Sequence, residues 1–370
     1  MYHKRAILRE VKRAKTSPKV GIITKLTSII QNADPALRNR LIIISALLIL
    51  LNVGVWIAIL FASHMTSTLI GLASIAYGLG LRHAVDADHI AAIDNTTRKL
   101  MQDGKKPVAT GLFFSLGHST IVVVLSAIVA LSAGFVSKNL PAFQETGSLI
   151  GTTVSSIFLL AIGIINLIVL IETYKVWRKV VNGGTYEREN LHQHLHAGGF
   201  FIKFFHPVLR GITSSWQMYP VGFLFGLGFD TASEVGLLSI SAASGANNIP
   251  FWEIMLLPIA FTAGMSLIDT VDGILMLGAY GWAYIKPVRK LYYNMNITLI
   301  SVLIALFIGG IEALQIISEK TGVNNTFFMF INSLDLGSLG YIIIGTFILS
   351  WVFSVAFYKF QKYDQLDEQI

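Results

Sequence analysis

Between Arg82 and Asp94 the chain reads Arg-His-Ala-Val-Asp-Ala-Asp-His-Ile-Ala-Ala-Ile-Asp, two histidines and three aspartates in the downstream half of an otherwise apolar stretch of membrane-spanning length. Imidazole and carboxylate together form a nitrogen and oxygen ligand set. With no cysteine anywhere in the chain, that set suits Ni(II), Co(II), Zn(II), Mn(II) or Fe(II) and argues against Cu(I). A charged side chain at a bilayer centre costs about 2.5–3.5 kcal/mol on insertion scales, so a cluster this dense calls for an offsetting partner, and a divalent cation is the candidate. The histidines bind such an ion only when neutral, so acid is expected to weaken binding.

Other polar residues fall inside apolar stretches: His118, then Asp230 and Glu234 four apart, then Asp269 and Asp272 three apart. Each of these carboxylate pairs shares one helix face. His83, Asp88, His89 and His118 are the expected metal ligands; Asp86, Asp230, Glu234, Asp269 and Asp272 are expected to complete the site or to form a metal or proton pathway. Their alternative use is structural hydrogen bonding. Arg82 is expected as a counter-ion to one of the acids, whereas Asp94 and Glu312 fall toward span ends, where an interfacial role is expected. His192, His194 and His196, with His206 beyond, lie in a polar loop that either collects metal or is simply solvated.

A single straight helix would not gather these ligands. His83, Asp86 and His89 drift around one broad face while Asp88 stands to the side. The 28 residues from 66 to 93 would measure about 42 Å as a helix, longer than the hydrocarbon is thick. Tilt, protrusion or local unwinding after Gly78 and Gly80 absorbs the excess, and unwinding frees backbone groups to join a site.

The elements that carry these residues are membrane spans. The chain has 370 residues, 54% hydrophobic and 13% charged, with a mean hydropathy of +0.64, the composition of a polytopic membrane protein. Apolar runs near 41–63, 66–93, 108–134, 149–171, 208–243, 251–283, 291–317 and 338–358 give eight spans. Residues 1–40 carry ten Lys or Arg against Glu10 and Asp34, and no short apolar stretch with a cleavage site opens the sequence. With that tail inside, the basic residues of alternate loops also fall inside, leaving Lys138 and Lys320 outside. Both termini are therefore expected in the cytoplasm. The basic charge thus reports a tail near anionic lipid, not a nucleic-acid site. The stretch 20–30 is expected either as a surface amphipathic helix or as a flexible tail.

Gly78-Leu79-Gly80 before the cluster is echoed by Gly226-Leu227-Gly228 before Asp230 and Glu234, 148 residues on, and Gly117-His118-Ser119 by Gly264-Met265-Ser266, 147 residues on. The second and fifth spans run in opposite directions, so these echoes predict an inverted repeat relating helices 1–3 to helices 4–6. Recurrence of small residues at packed helix interfaces is the competing explanation.

The string Arg82-His83-Ala84-Val85-Asp86-Ala87-Asp88-His89-Ile90 resembles the second-helix signature of the nickel/cobalt transporter family. Leu116-Gly117-His118-Ser119-Thr120, Leu227-Gly228-Phe229-Asp230-Thr231-Ala232-Ser233-Glu234 and Gly264-Met265-Ser266-Leu267-Ile268-Asp269-Thr270-Val271-Asp272-Gly273 are similar to that family's other signatures, in its order. The resemblance covers about residues 40–360. It implies an eight-helix permease importing Ni(II), Co(II) or both, with His83, Asp88 and His89 selecting the metal; the choice of nickel over zinc or manganese comes from the resemblance alone.

The expectation is an all-α polytopic protein of the cytoplasmic membrane: a basic cytoplasmic tail (1–40), an eight-helix transporter domain (41–360) with a cytoplasmic histidine loop at about 172–207, and a cytoplasmic C-terminal tail (361–370). Ni(II) or Co(II) is its substrate, lipid its surroundings, and no cofactor is expected. The absence of a glycine loop ending in Gly-Lys-Ser/Thr argues against ATP hydrolysis. The other classes weighed are an intramembrane metal-dependent enzyme, which the missing His-Glu-x-x-His spacing disfavours, and a passive cation channel.

Overall fold

The computed structural model describes residues 35–131, 133–181, 212–228, 231–247, 249–283, 287–323, 325–334 and 336–360. The basic tail up to residue 34 with its 20–30 stretch, the His192, His194, His196 and His206 loop, Asp230 and the C-terminal ten residues lie outside the described residues. Contacts divide the chain at Ile43/Ile44. The described part of the first unit is the opening of α1, and the second unit holds the bundle and its site.

Among the described residues every regular element is helical. In order they are α1 (Pro35–Ala62), α2 (Leu69–His83), α3 (Ala87–Gln102), α4 (Thr110–Leu131), α5 (Ala133–Val181), α6 (Met218–Phe225), α7 (Ala232–Ala246), α8 (Phe251–Ile254), α9 (Leu256–Ala283), α10 (Pro287–Thr321), α11 (Thr326–Asn332) and α12 (Leu336–Phe360). Helices are what apolar sequences of this length must form in lipid, because each backbone polar group has to be satisfied within its own segment. Among the described residues five stretches are long and apolar enough to cross a membrane: Pro35–Ala62, Thr110–Leu131, Ser148–Lys179, Phe251–Gly278 and Met295–Thr321. Leu50 of α1, Phe307 of α10 and Phe353 of α12 are exposed, the pattern of a bundle whose solvent is hydrocarbon.

The second and fifth apolar runs are each two short helices. α2 ends at His83, where the Val85 N–H donates to the Arg82 carbonyl at 3.0 Å and the Asp86 N–H to that of His83 at 2.9 Å. Asp86 is extended (φ −63°, ψ 146°) and α3 begins at Ala87. Likewise α6 stops at Phe225, Thr231 is extended (φ −71°, ψ 146°), and α7 begins at Ala232. The interruption therefore falls at residues 84–86, four residues beyond Gly80, and α2 runs unbroken through Gly78 and Gly80 themselves.

Gly80 serves packing instead. A Cβ at Gly80 would run into the Phe261 carbonyl of α9, and one at Gly264 of α9 into the Tyr77 carbonyl of α2. The same crossing recurs elsewhere: a Cβ at Gly222 of α6 would meet the Phe114 carbonyl of α4, and one at Gly117 of α4 the Tyr219 carbonyl of α6. Residues 77 and 80 precede 219 and 222 by 142 positions, and residues 114 and 117 precede 261 and 264 by 147. In each crossing glycine lets two backbones touch.

α3 is the least apolar long element, Ala-Asp-His-Ile-Ala-Ala-Ile-Asp-Asn-Thr-Thr-Arg-Lys-Leu-Met-Gln, yet His89 to Arg98 are all buried. It packs against α9, α10, α12 and α5. Two of its polar side chains find partners there: Ser301 Oγ of α10 donates to Asp94 Oδ2 at 2.5 Å, and Asn166 Nδ2 of α5 donates to Asn95 Oδ1 at 2.7 Å. Asp94 is 0% exposed, packed between helices at the α3/α10 contact. Buried polar groups need such partners, because leaving one unmade costs about 1–3 kcal/mol.

Candidate metal centre

The three intramembrane histidines meet at the α2/α3 interruption. His83 is the last residue of α2, His89 lies in the first turn of α3 and His118 in the middle of α4. All three are buried, and they offer nitrogens within 4.8 Å of one another. Their ring centroids form a nearly equilateral triangle with sides of 4.6, 4.7 and 4.9 Å. The interruption makes this possible: a continuous helix would carry His89 further around its face, whereas the extended Asp86 turns α3 back toward α4.

Carboxylates orient the rings. His83 Nδ1 lies 3.0 Å from Asp86 Oδ2, a bond the carboxylate accepts only from a protonated Nδ1, which leaves the lone pair on Nε2. That Nε2 faces His118 Nε2 at 2.9 Å. His89 repeats the device with the carboxylate of Asp269 in α9, at 3.3 and 3.4 Å from its Nδ1, and its buried Nε2 has no hydrogen-bond partner. A carboxylate behind a histidine is the arrangement that holds a metal-ligating imidazole in its tautomer.

Glu234, in the first turn of α7, closes the group. Its Oε1 is 2.9 Å from His118 Nε2 and 3.9 Å from His83 Nε2, while the Thr231 hydroxyl donates to its Oε2 at 3.0 Å. Nitrogen or oxygen ligands about 2.0–2.1 Å from an ion and at right angles to one another stand about 3 Å apart, the separation His118 keeps from both His83 and Glu234. Phe114 meets His89 edge-on at 4.8 Å and Phe261 flanks His83 at 5.6 Å. Sequence reading did not single out these walls; the signal for them was their shared offset of 147 with Gly117 and Gly264.

Asp88 lies in the first turn of α3, part-buried, its Oδ1 accepting the His89 backbone N–H at 2.9 Å. Asp272 lies one turn beyond Asp269 in α9, and its buried Oδ2 has no hydrogen-bond partner; it is not among the groups gathered around the histidines. Arg82, expected to pair with an acid, instead donates from Nη1 to Ser233 Oγ at 2.7 Å, and among the described residues it makes no ion pair. Arg82, His83, Asp86, Asp88, His118, Glu234 and Glu312 line one cavity of about 230 Å³. Four carboxylates against one guanidinium make its walls attractive to cations. Glu312, expected at the interface, is 3% exposed and belongs to this cavity.

Comparison with known proteins agrees with the geometry. The chain is 49% identical over 341 residues to a high-affinity nickel transport protein of Cupriavidus necator, covering 92% of this chain and 97% of that one. It is 45% identical over 317 residues to the nickel transporter NixA of Staphylococcus aureus, covering 86% and 94%. It is also 38% identical over 333 residues to the cobalt transport protein NhlF of Rhodococcus rhodochrous, covering 86% and 92%. No solved structure matches. Residues 69–357 match the NicO family, described as high-affinity nickel-transport protein, and that span contains both helix interruptions and all three histidines: this multi-pass membrane protein belongs to the NicO family.

Proposed function

We propose that the chain is a secondary permease that imports Ni(II), Co(II) or both across the cytoplasmic membrane, binding the ion between His83, His89, His118 and Glu234. The observation that carries this reading is the trio of buried imidazoles, two of them backed by aspartates, at the break of a membrane helix. Asp86 and Asp269 orient His83 and His89, and Asp88 adds negative charge beside them. The relatives' printed names support nickel and cobalt as the ions; the nitrogen and oxygen ligand set fits either.

The same reading takes the fold as eight spans, the second being α2 with α3 and the fifth α6 with α7. The reciprocal glycine crossings and the matching extended residues Asp86 and Thr231 support an inverted repeat in which α2 packs on α9 as α6 packs on α4. Broken helices at corresponding places around a midplane site are how many secondary transporters bind their substrates. With the basic loops taken as cytoplasmic, both termini and the 1–40 tail lie inside, and on that orientation the cavity, lined by the late turns of α10 and by Leu334 and Leu336, opens outward. Two charges moving inward release about 4.6 kcal/mol per 100 mV, so import needs no ATP.

Uptake of labelled nickel into vesicles, competed with cobalt, zinc and manganese, tests the reading. Saturable import by the wild type and none by His83→Ala or His89→Ala, at equal amounts in the membrane, is expected. Normal import by either variant overturns it, and ohmic nickel current in place of saturable uptake makes the protein a channel.

A further inference from the structure

Glu312 is a buried acid that the histidine centre leaves unused. Ser155 Oγ of α5 donates to its Oε1 at 2.9 Å. One turn back, Ser156 Oγ donates to the Gly309 carbonyl at 2.8 Å, and a Cβ at Gly309 would press on Leu159 and Leu160, so α5 and α10 are fixed against each other where Glu312 projects. One turn forward, Gln315 Nε2 donates to the carbonyls of Ile331 and Leu334 at 3.1 and 3.4 Å. Glu312 is thus held rigidly in the wall of the cavity that His83, His118 and Glu234 also line.

Its depth follows from the helices. The bond between Asn166 and Asn95 sets α5 level with α3 at that point. Measured outward from there, His89 is about 9 Å away along α3 and Ser155 about 16 Å away along α5, at 1.5 Å per residue. Glu312, bonded to Ser155, therefore stands about 7 Å outside His89. An ion with six waters occupies about 180 Å³ at about 30 Å³ per water, and the cavity measures about 230 Å³. His118, 3% exposed, lines the same cavity, and its Nε2 lies 2.9 Å from both His83 Nε2 and Glu234 Oε1.

We propose that Glu312 is the outer binding residue of the pathway: it holds the arriving divalent ion through the ion's own water shell and passes it inward to His83, His118 and Glu234. The inference rests on the import reading and adds a second stop to it. Capture by a carboxylate through water selects for charge, not for imidazole affinity, so this stop takes hydrated divalent ions as a class and leaves discrimination to the histidines.

Initial uptake rates of labelled nickel by vesicles containing the full chain test this with Glu312→Gln. The amide oxygen still accepts from Ser155, so the substitution removes charge and keeps the hydrogen bond. The expected result is a rise in KM of about tenfold, about 1.4 kcal/mol, with kcat within about twofold and a flattened dependence of uptake on ionic strength. Excess Mg²⁺ should slow the wild type at low nickel and lose that effect in the variant. An unchanged KM, or a fall in kcat at constant KM, overturns the proposal. Should Glu312→Gln fail to reach the membrane, Glu312→Asp, which keeps the charge and shortens its reach, is expected to raise KM at constant kcat, and the same two contrary results overturn it. Wild-type vesicles that import no nickel, or His83→Ala vesicles that import it normally, would instead refute the import reading itself.

Discussion

The hydrogen bond between His83 and Asp86 gives the most direct test of how the site is built. Asp86→Asn leaves the shape of the side chain and removes its charge. In the native site the bond is 3.0 Å long between groups 2% and 3% exposed. A hydrogen bond to a charged group contributes about 1.5–3 kcal/mol and a neutral one about 0.5–1.5 kcal/mol, so the change weakens the hold on the imidazole by about 1–2 kcal/mol. The amide also offers N–H groups, which can donate to a bare Nδ1 and drive the His83 proton onto Nε2, where it excludes the ion. Both effects act through His83 and together predict nickel binding about 10–100-fold weaker, the usual cost of losing a group behind a metal ligand. Equilibrium dialysis of labelled nickel against purified protein measures it, with thermal unfolding run beside it to show the variant is folded. On a His83→Ala background, whose residual binding by His89, His118 and Glu234 is read at higher nickel, Asp86→Asn should cost nothing further. A full second loss there would make Asp86 a ligand in its own right and refute the assignment of its role to orientation.

Two further outcomes follow from the same geometry. Gly80→Ala and Gly222→Ala should each destabilise the purified protein by about 1–3 kcal/mol through overpacking at a helix crossing, while Gly54→Ala, where nothing lies within 4 Å, should leave the unfolding temperature unchanged; equal effects at all three would mean the crossings are not tight. Lowering the pH should weaken nickel binding, since protons compete with the ion for the imidazole nitrogens, and affinity independent of pH between about 5 and 8 would remove the histidines from the ligand set.

How much of this the sequence contained differs from residue to residue. His83, His89 and His118 were legible as one site because three imidazoles inside apolar stretches have few uses other than a shared ligand. The place of the helix break was not legible. Gly78 and Gly80 look like the weak point on propensity, but Gly80 is committed to the Phe261 carbonyl of α9 and stays helical, and tertiary contact overrides propensity. The partners of Asp94 and Glu312 were not legible for a related reason. Position along a span says how deep a residue lies; Ser301 and Ser155, which turn the two acids inward, are known only once α3, α5 and α10 are packed.

The repeat illustrates the same limit from the other side. Matching glycine triplets by eye pairs Gly80 with Gly228 at an offset of 148, whereas equivalent helix crossings pair Gly80 with Gly222 at 142, and equivalent extended residues pair Asp86 with Thr231 at 145. The offsets differ because α7 starts seven residues after α6 ends, whereas α3 starts four residues after α2 ends. His89 and Glu234 each stand at the third helical position after a break, which makes them counterparts in the proposed repeat. On the proposed repeat, an imidazole from one half and a carboxylate from the other meet at the centre, and the mixed ligand set comes from the difference between the halves at that position. On the proposed repeat neither half alone builds the site, so a motion that parted His89 from Glu234 would separate the ligands and release an ion bound between them.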